Sequence, residues 1–198
     1  MARTAALLWF VLAVGCVGPA TSARAQTAPH EPQPVEARVR ALLSGIEDAP
    51  TREEMLALGE PGLDALLRIH GDARERGVIR LRAIACAGWF SGPRSRALLL
   101  DLLRQGTREA LELRAAIRAY VGQLLREGPR EAQAIEPLLR HAQHADPAVR
   151  EAVLIGLVEL HAQASPRERA VLSPTLERLL ATEPDAGLAR AIRARLAR

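Results

Sequence analysis

Apolar residues recur three and four positions apart through most of this chain, which is the spacing of a helix with a buried face. The clearest segment is DPAVREAVLIGLVEL, residues 146–160. Asp146 can cap the N-terminus of a helix, and Pro147 suits the first helical position because an N–H there would lack an intrahelical partner anyway. The rest of the segment is apolar on nearly every side, so several neighbouring helices must cover the predicted helix.

The pattern of this segment occurs four times along the chain. Each copy begins with an apolar residue, which is followed by Arg in three of the copies, and continues with small and aliphatic residues. The first residues of the copies lie 34, 36 and 39 positions apart, at Ile79, Leu113, Val149 and Leu188. A repeat of this length is typical of solenoids that stack pairs of helices.

A Leu-Leu pair precedes each copy by 8 to 12 residues and predicts a first helix there. The gap fits the end of one helix, a short turn and the start of the next. No run of alternating β-branched residues predicts a strand. The sequence therefore predicts an all-α fold, a right-handed solenoid of about four antiparallel helix pairs, at residues 61–90, 93–127, 131–162 and 166–198.

The motif D-P-x-V-R, followed by a helix of small residues, resembles HEAT repeats, particularly the short HEAT-like repeats first associated with phycobilisome lyases. The resemblance covers residues 58–198, although repeats one and two lack the Asp-Pro and Ala189 replaces the expected Arg in repeat four. Atypical end repeats are usual in solenoids because they cap the array. The resemblance implies that the motif residues bridge adjacent repeats; they are Asp146, Arg150, Arg80 and Arg114.

The first 25 residues have the pattern of a secretory signal peptide. Arg3 supplies the positive charge, AALLWFVLAV the apolar core, and Ala23-Arg24-Ala25 a cleavage site before Gln26. The apolar core is far shorter than the roughly 20 residues of a membrane-spanning helix. A lipoprotein signal is the alternative, because residues 13–16 loosely resemble a lipobox in which Cys16 carries the lipid. Either signal predicts an exported protein, periplasmic or secreted in the first case and an outer-membrane lipoprotein in the second.

The segment between the predicted signal and the repeats divides into a linker and a cap. Residues 26–34 hold three prolines and are predicted to be an extended linker. Residues 35–43 are amphipathic, and Thr51 with Glu54 matches the capping box of a short helix. Residues 35–58 are therefore expected to form a helical cap over the first pair.

The charge of the chain argues against nucleic acid as a partner. All 27 basic residues are Arg, two of them in the predicted signal, so the remainder has 25 basic and 23 acidic residues and a net charge of +2. A nearly balanced surface lacks the basic footprint of a nucleic-acid-binding domain.

No residue set suggests an enzyme, a cofactor or a metal. Nucleotide-binding, nucleophile-elbow and zinc-protease motifs are absent from the sequence. His141 and His144 are three positions apart and are expected on one helix face, but a zinc site needs a third ligand, for which His161 is the one candidate. Cys86, the one cysteine outside the predicted signal, is expected to be a small buried residue.

The side of the second helices that faces away from the core is the remaining candidate for function. In solenoids the second helices usually line the concave side, where partners bind. The alternative is that these residues pack against the neighbouring second helix. The candidate binding residues are Leu81, Trp89, Arg118, Gln123, Glu151, Ile155 and Glu159.

Taken together, these patterns favour a non-catalytic, exported binding or scaffolding module of a bacterial envelope. The expected partner is another protein or peptide, and no membrane-spanning segment is expected. One alternative is an accessory structural subunit of a larger envelope complex. Another is a lyase-related, chromophore-handling protein, which only the name attached to similar repeats suggests, since function does not follow from fold.

Overall fold

The computed structural model describes residues 34–45, 49–105, 109–128 and 132–197, and every structural statement below refers to these residues. The described residues all belong to one compact unit. The predicted signal peptide, its cleavage site, Cys16 and most of the predicted linker lie outside the described residues.

All regular structure in the described ranges is helical, which confirms the all-α prediction for this part of the chain. Ten helices are described and no strand. Their bounds are α1 Val35–Ser44, α2 Arg52–Leu56, α3 Gly59–Gly71, α4 Gly77–Ala87, α5 Pro93–Gln105, α6 Ala110–Glu127, α7 Ala132–Leu139, α8 Pro147–Ala162, α9 Pro166–Thr182 and α10 Ala186–Leu196.

The helix starts that the sequence marks most clearly are formed by side-chain caps. A carboxylate oxygen of Asp146 accepts a hydrogen bond of 2.8 Å from the N–H of Ala148, and Pro147 is the first residue of α8. At α2, the Thr51 hydroxyl accepts from the N–H of Glu54 at 3.2 Å, and the Glu54 carboxylate accepts from the N–H of Thr51 at 2.9 Å. Each such cap contributes about 1 kcal/mol by pairing backbone groups that the helix leaves unbonded.

The helices that carry the repeated pattern pack against one another in chain order. α4 contacts α6, α6 contacts α8, and α8 contacts α10. The preceding helices lie beside this row: α3 packs on α4, α5 on α6, and α9 on both α8 and α10, whereas α7 packs chiefly on α5. Neighbours in space are therefore neighbours in sequence.

The N-terminal helices cover α3 and α4. Val39 and Leu43 of α1 and Met55 of α2 are fully buried in one cluster with apolar residues of α3 and α4. Arg82 of α4 extends this contact, because its guanidinium donates hydrogen bonds to the carbonyl oxygens of Leu43 at 2.6 Å and Gly45 at 2.5 Å. Apolar burial and charged hydrogen bonds to the end of α1 thus hold this segment on α3 and α4.

Glycines allow the second helices to approach closely. A Cβ atom at Gly88 would lie 2.6 Å from the Cβ and 2.9 Å from the Cα of Ala119 on α6. A Cβ atom at Gly156 on α8 would lie 2.6 Å from Cγ2 of Val121. Both distances are far below ordinary carbon–carbon contact, so the α4–α6 and α6–α8 spacings require a residue without a side chain at these positions.

Candidate binding face on the second helices

Arg150 joins α8 to the turn that precedes α10. Its guanidinium donates to both carboxylate oxygens of Glu183 at 3.0 to 3.1 Å, and to the carbonyl oxygens of His144 at 2.9 Å and Ala145 at 3.1 Å. Glu183 lies in the turn before α10. The hydrogen bonds to Glu183 raise the pKa of Arg150 above its ordinary value. Each of the three guanidinium nitrogens donates to a protein oxygen, so Arg150 has a structural role.

The other three motif residues differ in their contacts. Arg80 of α4 bonds across to the start of α6, where its guanidinium lies 3.0 Å from the Glu112 carboxylate and 3.7 Å from that of Glu109. Asp146 caps its own helix. For Arg114, the Nε atom is buried and has no hydrogen-bond partner in the described part of the chain. Arg80 therefore joins α4 to the start of α6, and Arg150 joins α8 to the turn before α10.

Gln123 does not belong to the exposed face, so the prediction for this residue is wrong. The side chain is fully buried, and its Nε2 donates to the carbonyl oxygen of Phe90 at 2.9 Å and to the hydroxyl of Ser95 at 2.7 Å. The connection between α4 and α5 covers α6 at this point. Gln123 therefore joins α6 to the α4–α5 connection and to α5 instead of facing a partner.

Four of the predicted residues line two grooves that lie on either side of α6. The α4–α6 groove has a volume of about 280 Å³ and is lined by Ala85, Gly88, Trp89, Ala115, Arg118, Ala119, Gly122 and Arg126. The α6–α8 groove has a volume of about 320 Å³ and is lined by Arg118, Val121, Ala152, Ile155, Gly156 and Glu159. Leu81, which is half-buried, and Glu151, which is exposed, lie on α4 and α8 but line neither groove.

Small residues form the floor of the grooves because the helices approach closely there. Gly88 and Ala119 are in contact across the first groove, and Val121 and Gly156 across the second. Trp89 is half-buried, packs against the N-terminal core and also lines the α4–α6 groove. The floor is therefore apolar, and an aromatic side chain forms one wall.

The two grooves differ in charge. The charged residues that line the α4–α6 groove are Arg118 and Arg126, and no carboxylate lines it. The Arg126 guanidinium donates to the carbonyl oxygen of Gly88, and its pKa is lowered first by burial and then by the charge of Arg52. The α6–α8 groove contains Arg118 together with Glu159. Positive potential is thus concentrated on the α4 side of α6.

Arg118 is the residue that both grooves share. It is exposed, and no ion pair or hydrogen bond joins its guanidinium to other residues in the described part of the chain. Arg126, by contrast, uses one donor on a backbone carbonyl. Arg118 therefore keeps its donors for solvent or for a ligand.

The predicted histidine pair does not lie on a helix. α7 contains Pro137 and ends at Leu139, so His141 and His144 belong to the following turn, with their ring centroids 6.4 Å apart. Nε2 of His141 lies 2.8 Å from the carbonyl oxygen of Leu103, and Nδ1 of His144 accepts from a backbone N–H. Within the described residues, no group of three or more His, Cys, Asp or Glu side chains could hold a metal ion.

Two other polar or nucleophilic side chains have structural contacts. Nε2 of His161 lies 3.0 Å from the hydroxyl of Ser173, which joins α8 to α9 and was not predicted from the sequence. Cys86 is 2% exposed, as expected, and burial raises its pKa to about 12. A thiol with this pKa remains protonated at neutral pH and is a poor nucleophile.

Among the helices of the described ranges, none is both long and apolar enough to cross a bilayer. Comparison of the chain with protein families, with curated proteins and with solved structures finds no match.

Proposed function

We propose that this chain is an exported HEAT-like repeat protein, a right-handed α-solenoid of four helix pairs, that binds another protein or peptide without catalysis in a bacterial envelope. The consecutive packing of α4, α6, α8 and α10 supports the repeat architecture, because each repeat of a solenoid contacts only its neighbours. The signal-like N-terminus supports export.

The observation that carries the binding function is the pair of grooves that meet at Arg118. Each groove is shallow and has an apolar floor, and both open on the same row of helices. Neighbouring grooves of this kind suit an extended or helical segment that inserts successive side chains, which is how many peptide-binding surfaces work. The aromatic residue and the arginine on this face belong to the types that dominate binding energy at protein interfaces.

The test is recovery of binding partners from envelope extract with variants on and off this face. Trp89→Ala removes the aromatic wall of the α4–α6 groove, and Glu151→Arg reverses an exposed charge on α8. Glu177→Arg is the matched control, because it makes the same charge change at an exposed position of α9. Thermal unfolding of each variant verifies that it is folded.

The expected result is that a protein recovered with the native chain is lost or reduced with Trp89→Ala and Glu151→Arg and retained with Glu177→Arg. The reason is that only the first two changes alter the row of second helices. Unchanged recovery with both folded variants would remove these residues from the binding surface.

The second candidate function is an accessory structural subunit of a larger envelope complex. Val78 is 50% exposed and Leu111 is 57% exposed, and they lie in the first turns of the adjacent helices α4 and α6. The outer side of α10 has a different character, since Arg190, Ala191, Ala194 and Arg195 are exposed there. A subunit that joins a complex would therefore do so at the Val78–Leu111 edge, and the mass of the native assembly on size-exclusion chromatography distinguishes it from a free monomer.

A further inference from the structure

The position of Arg118 restricts what the grooves can bind. It lies on α6, the middle helix of the three, and it lines the groove on each side. An anionic group paired with Arg118 is therefore flanked by an apolar groove in both directions along the row of helices.

We propose that the face formed by α4, α6 and α8 binds an extended segment of a partner protein. In this segment an acidic side chain lies between two apolar side chains. The acidic side chain pairs with Arg118, one apolar side chain enters the α4–α6 groove beside Trp89, and the other enters the α6–α8 groove beside Ile155. This inference rests on the proposed binding function, and it specifies the chemistry of the bound sequence.

The grooves on both sides of Arg118 favour the carboxylate of an internal Asp or Glu side chain over the carboxylate at the end of a chain. A terminal carboxylate has peptide chain on one side only and would leave one groove empty. Packed helices lie about 8–10 Å apart, and the two grooves are separated by about the same distance. An extended chain advances about 3.3 Å per residue, so a segment of only a few residues reaches from one groove to the other with the acid between them.

Charge complementarity supports an acid at this position. No carboxylate lines the α4–α6 groove, and Arg126 adds a second positive charge there. A carboxylate that binds Arg118 can form two parallel hydrogen bonds with the guanidinium, the strongest geometry for this pair. On the α8 side, Glu159 lines the groove and Glu151 is exposed, so a second acidic residue is disfavoured in that direction. A second acidic residue of the segment is therefore expected on the α4 side.

The test is selection of displayed peptides on the immobilised protein. A random library of about 12 residues is long enough to cross the three helices, since an extended chain of that length spans about 40 Å. Constant flanking sequences keep both peptide termini away from the random part. Enriched peptides are synthesised with acetylated and amidated ends, and their affinity is measured by isothermal titration calorimetry.

The expected consensus has Asp or Glu between two large apolar residues. Arg118→Ala is expected to weaken binding by about tenfold or more, the loss of about 1.4 kcal/mol. Replacement of the peptide acid by its amide should weaken binding similarly, and the two changes together should cost less than their sum because they remove one interaction. Selection on Arg118→Glu should replace the acid of the consensus by Lys or Arg. Arg169→Glu, an exposed change on α9, is the matched control and should leave the consensus unchanged.

The outcomes separate this inference from the function on which it rests. The inference is wrong if the enriched peptides lack an acid or if their affinity does not change with Arg118→Ala. If those peptides still lose affinity for Trp89→Ala, the proposed binding face is supported and only the chemistry of the bound sequence is wrong. No enrichment, or enriched peptides insensitive to every variant of this face, would contradict both.

Discussion

The guanidinium of Arg150 and the carboxylate of Glu183 form an ion pair that connects α8 to the turn before α10. The side chains are only 10% and 2% exposed, and the Arg150 Nη2 lies 3.0 Å from a Glu183 oxygen. Arg150→Ala would leave the Glu183 carboxylate buried without this partner. Because an unpaired buried charge is much less stable than a paired one, we expect a large fall in the free energy of unfolding.

Denaturant unfolding monitored by circular dichroism measures this loss. Arg140→Ala is the control, since it removes an ion pair with Glu136 whose side chains are 55% and 62% exposed. Exposed pairs contribute little to stability. Equal losses for the two variants would contradict the bridging role of Arg150.

Gly88→Ala is expected to destabilise the chain by about 1–3 kcal/mol, the usual range for overpacking a tight contact. The added methyl group would lie 2.9 Å from the Cα of Ala119, so backbone must move and α4 and α6 must separate. The same change should widen the α4–α6 groove and weaken peptide binding. Thermal unfolding and the calorimetric assay above measure the two effects.

Gly71→Ala is the matched control for this glycine. Gly71 is the last residue of α3, as Gly88 directly follows the last residue of α4, but nothing lies within 4 Å of the position that the Gly71 Cβ would occupy. Alanine favours a helix over glycine, so this variant should be as stable as the native chain or more so. A Gly88→Ala variant as stable as Gly71→Ala would show that the close approach is not required.

The local features of the fold could be predicted from the sequence because they depend on residues close together in the chain. The cap at Asp146 and the capping box of Thr51 and Glu54 involve residues only two or three positions apart. The buried face of α8 follows from helical periodicity, and its core residues are Val149, Ala152, Val153, Gly156, Leu157 and Leu160. Such patterns predict helices and their inner sides.

The features that could not be predicted depend on contacts between distant residues. Periodicity placed Gln123 on the face away from the core, whereas the α4–α5 connection, 33 residues earlier in the chain, covers this side chain. The end of α7 at Leu139 placed His141 and His144 in a turn. Arg118 could be named from the sequence, whereas its position between two grooves depends on the packing of three helices.

The predicted signal peptide gives a test that is independent of the repeats. After export in a bacterial host, the N-terminal residue of the processed chain should be Gln26, because the A-x-A pattern of residues 23–25 is the form that signal peptidase cleaves. Cys16→Ala should leave processing unchanged. N-terminal sequencing and intact mass measure both. A lipid-modified N-terminus at Cys16, abolished by Cys16→Ala, would establish the lipoprotein alternative instead.

His70 should make stability depend on pH. Its Nδ1 is buried and has no hydrogen-bond partner in the described part of the chain, and its pKa is lowered chiefly by burial; nearby, Glu112 raises it and Arg80 lowers it. Because the unfolded chain then binds a proton more readily than the folded chain, the free energy of unfolding should fall as pH drops below the ordinary value of 6.5 towards the lower folded value. Above pH 6.5 this contribution should be constant.

The measurement is urea unfolding of the native chain and of His70→Gln across this pH range. The glutamine variant cannot bind a proton, so its stability should decrease less between neutral and mildly acidic pH. The comparison of slopes cancels any constant cost of the substitution, and it also cancels the titration of carboxylates common to both proteins, including Glu36, whose pKa is lowered by its hydrogen bonds to Arg68 and Arg40. Identical slopes would mean that the folded chain binds a proton at His70 as readily as the unfolded chain does, and that burial of this ring does not oppose its charge.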